Sequence, residues 1–249
     1  MKEALDAKIA YACKVLRLSG LARQYPAIAR EAREQNQDAE LFLLACLEEE
    51  ISIRQVNKRN RLLQGAKFPA KKTLDSFRFE EVPGLSRQKV MKLADCEYIR
   101  HKENIVCIGK PGTGKTHISC SLGILAILEG FSVRFISTMA LLQELQLSQK
   151  EYQLHKVLKK WDKIDLVICD ELGYIPMGEE GKLLFQFISQ RYERNSLILT
   201  TNLEFSQWNE VFNDPTLTSA LLDRLTHHCH ILVFDADSYR FKESMKKNH

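Results

Sequence analysis

Five short apolar runs alternating with helical stretches, a complete phosphate-binding loop after the first run, and a later run closed by two carboxylates predict a P-loop α/β fold. The expected architecture is a five-stranded parallel sheet in a three-layer core, with a small N-terminal helical domain ahead of it. The runs are Ile105 to Gly109, Ser132 to Ile136, Ile164 to Cys169, Ser196 to Thr201 and His230 to Phe234. They are continuously apolar rather than alternating, which is the pattern of strands buried on both faces.

The N-terminal domain is expected over residues 1–70 and the core domain over residues 71–249. Up to about residue 65 only Gly20 and Pro26 interrupt helical patterning. Leu5, Ile9, Ala12 and Leu16, then Leu41, Leu44 and Ala45, recur at three- and four-residue steps that place them on single helix faces. From Arg54 to Lys72 there are seven basic residues and no acidic one, and Phe68-Pro69-Ala70 reads as a loop. Arg54, Lys58 and Arg61 fall at helical spacing, forming a positive stripe suited either to DNA phosphates or to solvent.

Composition excludes several classes. The 249 residues are 45% hydrophobic and 27% charged with a formal net charge of +4, as in a globular protein with a buried core. The longest apolar stretch, Leu122 to Leu128, is too short to span a bilayer, and the start of the chain lacks signal-peptide layout. A cytoplasmic location without membrane contact is the expectation. Seven cysteines without a Cys-x-x-Cys pair read as reduced core thiols.

Gly109-Lys110-Pro111-Gly112-Thr113-Gly114-Lys115-Thr116 fits G-x-x-x-x-G-K-[ST] in full, with His117 next. Its glycines let successive N–H groups face the β-phosphate, Lys115 suits the β- and γ-oxygens, and the Thr116 hydroxyl suits Mg²⁺. About 55 residues on, a strand ends in Asp170-Glu171. Asp170 is the second expected Mg²⁺ contact, and Glu171 the group that polarises the attacking water. The strand Leu197 to Thr201 ends in polar residues at the edge where ligands collect, so Thr201 and Asn202 are expected near the γ-phosphate.

Asp214-Pro215 starts a helix whose apolar arc contains Arg224. Its stem either snorkels across that face or its guanidinium meets a fixed anion. Arg240 is a second candidate for phosphate contact. His227, His228 and His230 lead into a strand whose alternation keeps them from converging on one ion, and they read as structural. Phe77 and Phe79 are expected near the nucleotide base.

With the phosphate loop, Ile168-Cys169-Asp170-Glu171-Leu172-Gly173-Tyr174, Thr200-Thr201-Asn202 and Leu221-Leu222-Asp223-Arg224-Leu225 in this order, and with the Arg191 to Arg194 segment between the second and third, the chain resembles the IstB-like family. These are AAA+ ATPases encoded beside a transposase in bacterial insertion sequences, similar to DnaC-type helicase loaders. The resemblance implies ATP and Mg²⁺ as cofactors, Gly109 to Thr116 as Walker A, Asp170 and Glu171 as Walker B, and Asn202 as sensor 1. It also implies Arg224 as a finger reaching a neighbouring subunit's ATP, with Arg191 and Arg194 as rivals, and Arg240 as sensor 2. The implied function is ATP-dependent homo-oligomerisation on double-stranded DNA, with delivery of a cognate transposase to its target. A replicative helicase loader is the alternative partner assignment. A small-molecule kinase would need an acceptor insertion, and a guanine-nucleotide switch an Asn-Lys-x-Asp motif; neither is present.

Overall fold

The computed structural model describes residues 2–173 and 177–239. Two compact units are present, Met1–Arg61 and Leu62–His249.

The first unit comprises α1 (Lys2–Val15), α2 (Ser19–Glu34) and the larger part of α3 (Ala39–Ala66). Gly20 and Pro26, the two helix-breaking residues, both lie inside α2. Gly20 is there because α3 comes close: a Cβ at this position would lie 2.7 Å from Ile53 Cδ1. The adjacent contact is polar, with the buried Glu50 carboxylate accepting from Leu21 N at 2.8 Å and Arg54 Nε at 2.7 Å. The guanidinium of Arg54 also donates to Arg17 O at 2.9 Å. Cys13, Ala29, Ala32 and Cys46 are buried, whereas Leu5, Leu16, Leu41 and Leu44 of the apolar stripes stay exposed. The unit's packing uses small residues from neighbouring positions instead.

The sequence places the change of character near residue 70, yet the last turns of α3 already belong to the second unit. Ala66 is buried in that unit's core, with Leu62, Leu63 and Phe68 packed against it, and Arg134 Nη1 donates to Gly65 O at 2.9 Å.

The second unit continues through α4 (Arg87–Leu93), α5 (Glu97–Arg100), β1 (Asn104–Gly109), α6 (Lys115–Leu128), β2 (Val133–Ser137), α7 (Thr138–Lys150) and α8 (Leu154–Trp161). Then follow β3 (Leu166–Leu172), α9 (Glu180–Arg191), β4 (Ser196–Thr201), α10 (Trp208–Phe212), α11 (Pro215–Thr226) and β5 (Cys229–Phe234). The five strands form one sheet in the order β2-β3-β4-β1-β5, every pairing parallel. Strand alternation divides the core into two layers. Val106, Val167, Cys169, Leu197 and Leu199 face α7 to α11, while Ile105, Cys107, Leu166, Ile168 and Ile198 face α4 and α6. Burial on both sides explains the apolar runs of the inner strands β1, β3 and β4, whereas the edge strand β5 leaves Ile231 and Val233 exposed on one face.

β3 extends past its expected end. Asp170 and Glu171 stand opposite the single residue Thr200, between the pairs Cys169 with Leu199 and Leu172 with Thr201, and Glu171 has φ +64°. This is a β-bulge, which locally re-aims side chains at a strand end. Six of the seven cysteines are buried; burial pushes the Cys107, Cys120 and Cys169 thiols up to about 12. None of the described helices is long and apolar enough to cross a membrane.

Candidate nucleotide site

The loop between β1 and α6 lies at the carboxyl edge of the sheet and opens α6 with its N–H groups unpaired by helix geometry, which suits an anion. Gly112 has φ +79° and Gly114, the N-cap of α6, φ +101°. A Cβ at Gly114 would fall 2.6 Å from Phe77 Cε2, and one at Gly112 2.2 Å from Ser238 Oγ. The glycines therefore serve both turn and enclosure: the loop is covered by residues before β1 and after β5.

That enclosure forms a cavity of about 620 Å³. One wall is Pro111 to His117, and another is the segment before the core, including Pro69, Lys72, Phe77 and Arg78. Glu171, Thr200, Thr201 and Tyr239 complete it. Phe77 lies in the wall while Phe79 packs behind it, edge to face at 4.9 Å. Arg78 stacks over the Tyr239 ring at 5.8 Å, and Tyr239 N donates to Gly112 O at 3.0 Å, bringing the end of the described chain back to the loop. Arg240 lies outside the described residues.

Lys115 Nζ donates to Gly109 O at 2.6 Å and Lys110 O at 2.8 Å, so the ammonium is held inside the loop. His117 Nε2 lies 2.9 Å from Thr73 O and 3.3 Å from Ser76 Oγ, joining α6 to the preceding segment. Burial holds its imidazole below the usual histidine value.

At the strand ends, the Thr116 hydroxyl donates to both carboxylate oxygens of the buried Asp170 at 3.1 Å. Thr200 Oγ1 donates to Asp170 Oδ1 at 2.5 Å and accepts from Glu171 N at 2.9 Å. One hydroxyl thus fixes both carboxylate residues. The bulge leaves Asp170 buried against the hydroxyls and Glu171 exposed in the cavity wall. Thr200 was not among the expected site residues, because a buried threonine in a strand reads as strand filler. Its available signal was two consecutive hydroxyls closing an otherwise apolar run. Thr201 lines the cavity as expected, and Asn202, just beyond β4, has a buried Oδ1 with no hydrogen-bond partner.

The arginines separate cleanly. Arg191 is buried and donates to Trp161 O at 2.8 Å, Ile164 O at 2.9 Å and Ser196 O at 3.0 Å. Burial pulls its guanidinium down to about 10. Its bonding capacity is directed at carbonyls of its own chain, as in a structural residue. Arg194 is exposed. Arg224 lies over the Phe185 ring at 4.7 Å and donates to Ala220 O at 3.0 Å. It lines a small hollow with Asn104 and Leu197, at the amino ends of β1 and β4, on the edge of the sheet opposite the phosphate loop. Of the basic stripe, Arg54 is committed to Glu50 and Arg17, while Lys58 and Arg61 are exposed.

A parallel five-stranded core with this loop, this acidic bulge and this polar neighbour strand defines an ATPase of the AAA+ class. The family model described as IstB-like ATP binding protein matches residues 11–247, and the chain belongs to that family. It is 38% identical to an insertion sequence ATP-binding protein of Sinorhizobium fredii, over 97% of this chain and 82% of that one. With the IS232 ATP-binding protein of Bacillus thuringiensis it shares 40% identity over 80% of each chain. The IS21 counterpart of Pseudomonas aeruginosa is 35% identical over 93% of this chain and 88% of that one. Among solved structures it resembles DnaI, with a TM-score of 0.56 and 15% identity over 68% of this chain and 90% of that one. It also resembles AMPPCP-bound DnaA from Aquifex aeolicus, with a TM-score of 0.56 and 21% identity over 73% and 56%.

Proposed function

We propose that this insertion-sequence ATPase assembles on duplex DNA in its ATP state, assists its transposase in target selection, and is reset by hydrolysis. The observation that carries the chemical part is the linkage Thr116–Asp170–Thr200–Glu171 at the mouth of the cavity. It divides two carboxylates between two tasks, one buried and oriented, the other exposed and free to meet water.

The triphosphate lies along Gly112 to Lys115, with Lys115 leaving the loop carbonyls for the β- and γ-oxygens. The base rests beside Phe77. Thr116 and Asp170 supply facing oxygen donors, the set a magnesium ion prefers, and would hold it. A magnesium ion held there would supply neutralisation of the triphosphate's charge. Glu171 accepts a proton from the water as its oxygen bonds to the γ-phosphorus; the bond to the bridging oxygen breaks and its electrons leave with ADP. Asn202, with an unused buried oxygen, positions that water.

Transposase assistance is supported by the relatives, which are ATP-binding proteins of insertion sequences, elements whose movement needs a transposase. The exposed Lys58 and Arg61 offer DNA phosphates a sequence-independent contact. The test is a mass measurement on the full chain with Mg-ATP, with duplex DNA, and with both. A large assembly requiring both is expected; a single copy under every condition overturns the reading. Glu171→Gln should keep ATP and DNA binding and lose turnover by about 10²- to 10⁴-fold. Capture of replicative helicase instead of transposase by the ATP-loaded variant would reassign the partner.

A further inference from the structure

Away from the cavity, the turn after α9 and the junction between α11 and β5 bring three metal-ligating side chains together among the described residues. Glu193, His227 and His228 are all exposed, and one candidate ligand atom from each lies within 4.8 Å of the others. The alternation of β5 does separate His230, which pairs with Glu103 Oε2 at 2.7 Å. His227 and His228 precede the strand, so alternation does not divide them: their ring centroids are 4.0 Å apart. The third group comes from a distant element, which is why the histidine spacing alone does not reveal the cluster.

We propose that Glu193, His227 and His228 form a surface site for a divalent transition ion of the zinc type. Two imidazoles and one carboxylate are a donor set for zinc, with a fourth position left to water. The Thr116–Asp170 pair offers only oxygen and suits magnesium, so the two sites differ in kind. Both halves have defined backbones. His227 is the C-cap of α11 with φ −51° and ψ −47°, at the helix end whose carbonyls favour a cation. Glu193 sits at φ +57° in a turn closed by bonds from Arg194 N and Asn195 N to Arg191 O, at 2.9 and 3.0 Å. His227 Nδ1 is 3.9 Å from Glu193 Oε1 and has the Tyr192 hydroxyl at 2.9 Å, a bond that an ion taken up at this nitrogen would replace. A small inward movement of exposed side chains brings such atoms to ligand spacing. A bound ion would tie the α9–β4 turn to the end of α11.

The test is titration of the full chain with Zn²⁺ and with Co²⁺ in excess magnesium. One equivalent should bind, and the cobalt spectrum should lack thiolate-to-metal absorption, since the described cysteines are mostly buried. His228→Ala and Glu193→Gln should each weaken binding by at least about tenfold, while His230→Ala should not. In the unaltered chain, zinc should protect His227 and His228 from diethyl pyrocarbonate, leaving the exposed His101 and His155 reactive. No binding, a thiolate spectrum, equal binding by His228→Ala, or unprotected His227 and His228 would each overturn the site.

Discussion

Thr200 occupies the point where sheet and chemistry meet. Its hydroxyl donates to Asp170 and accepts from the backbone of Glu171, so its one donor and one of its two acceptor positions are used inside the bulge. Thr200→Val keeps the shape and removes the oxygen, leaving Glu171 N without its acceptor and Asp170 with one donor fewer. The expected cost is about 1–3 kcal/mol of unfolding stability, read from denaturant titration, together with a fall in ATP turnover that exceeds any fall in nucleotide affinity. Unchanged stability and turnover would show that the bulge holds without it. The identities of Lys115, Thr116, Asp170 and Glu171 were legible because their motifs are local and each residue type answers a chemical demand. The bulge was not legible, since whether Glu171 turns out of register within β3 depends on Thr200, a partner on another strand. Asn202 is intermediate: its position after β4 follows from the sequence, but its buried, unpartnered oxygen is visible only in the fold.

At the level of elements, Arg191 ends α9 and fastens it to the connections around it. Its guanidinium bonds carbonyls of Trp161, Ile164 and Ser196, which lie at the end of α8, before β3 and at the start of β4. Arg191→Met removes donors from these three carbonyls and from Asp165 O at once, and a loss of about 3–5 kcal/mol is expected, checked by equilibrium unfolding. If Arg191 were a finger, the variant would instead remain stable and lose turnover. A second contact gives a pH signature. His117 has a folded-state pKa below the ordinary histidine value of 6.5, so at pH values between the two the unfolded chain binds more protons. Its contribution is therefore present above the ordinary value and is lost as pH falls through the folded one. Lowering pH from about 7.5 to about 5.5 should reduce the stability of the parent more than that of His117→Asn, and equal slopes would remove the histidine from the account. The strands were legible to within a few residues because burial on both faces of β1, β3 and β4 makes their middles apolar and leaves polar side chains to their ends. The end of the helical module was not, because Leu62, Leu63 and Ala66 continue the helical pattern while changing the core they serve.

For the whole molecule, the decisive geometry is the separation of Arg224 from its own phosphate loop. Arg224 borders Asn104 at the beginning of β1, whereas the loop leaves β1 at Gly109. Five strand intervals span about 17 Å, more than an arginine side chain covers, and the sheet itself lies between. Among the described residues the guanidinium meets the Phe185 ring, its own helix carbonyl and the neighbourhood of Tyr192, none of them at the phosphate loop, so a role in hydrolysis is expected to be exercised on another copy. A head-to-tail interface meets that requirement, since it presents the same surface of each subunit to a different surface of the next. Arg224→Ala should bind ATP like the parent and hydrolyse it poorly, and Lys115→Ala should fail through lost phosphate contact. Neither is active alone, but in an equal mixture roughly a quarter of the ordered interfaces pair an intact loop with an intact arginine. Turnover should therefore recover to that order when the two inactive chains are combined with ATP and DNA. If the mixture stays as inactive as its components although it assembles, Arg224 does not act across the interface, and the exposed Arg194 becomes the residue to substitute next.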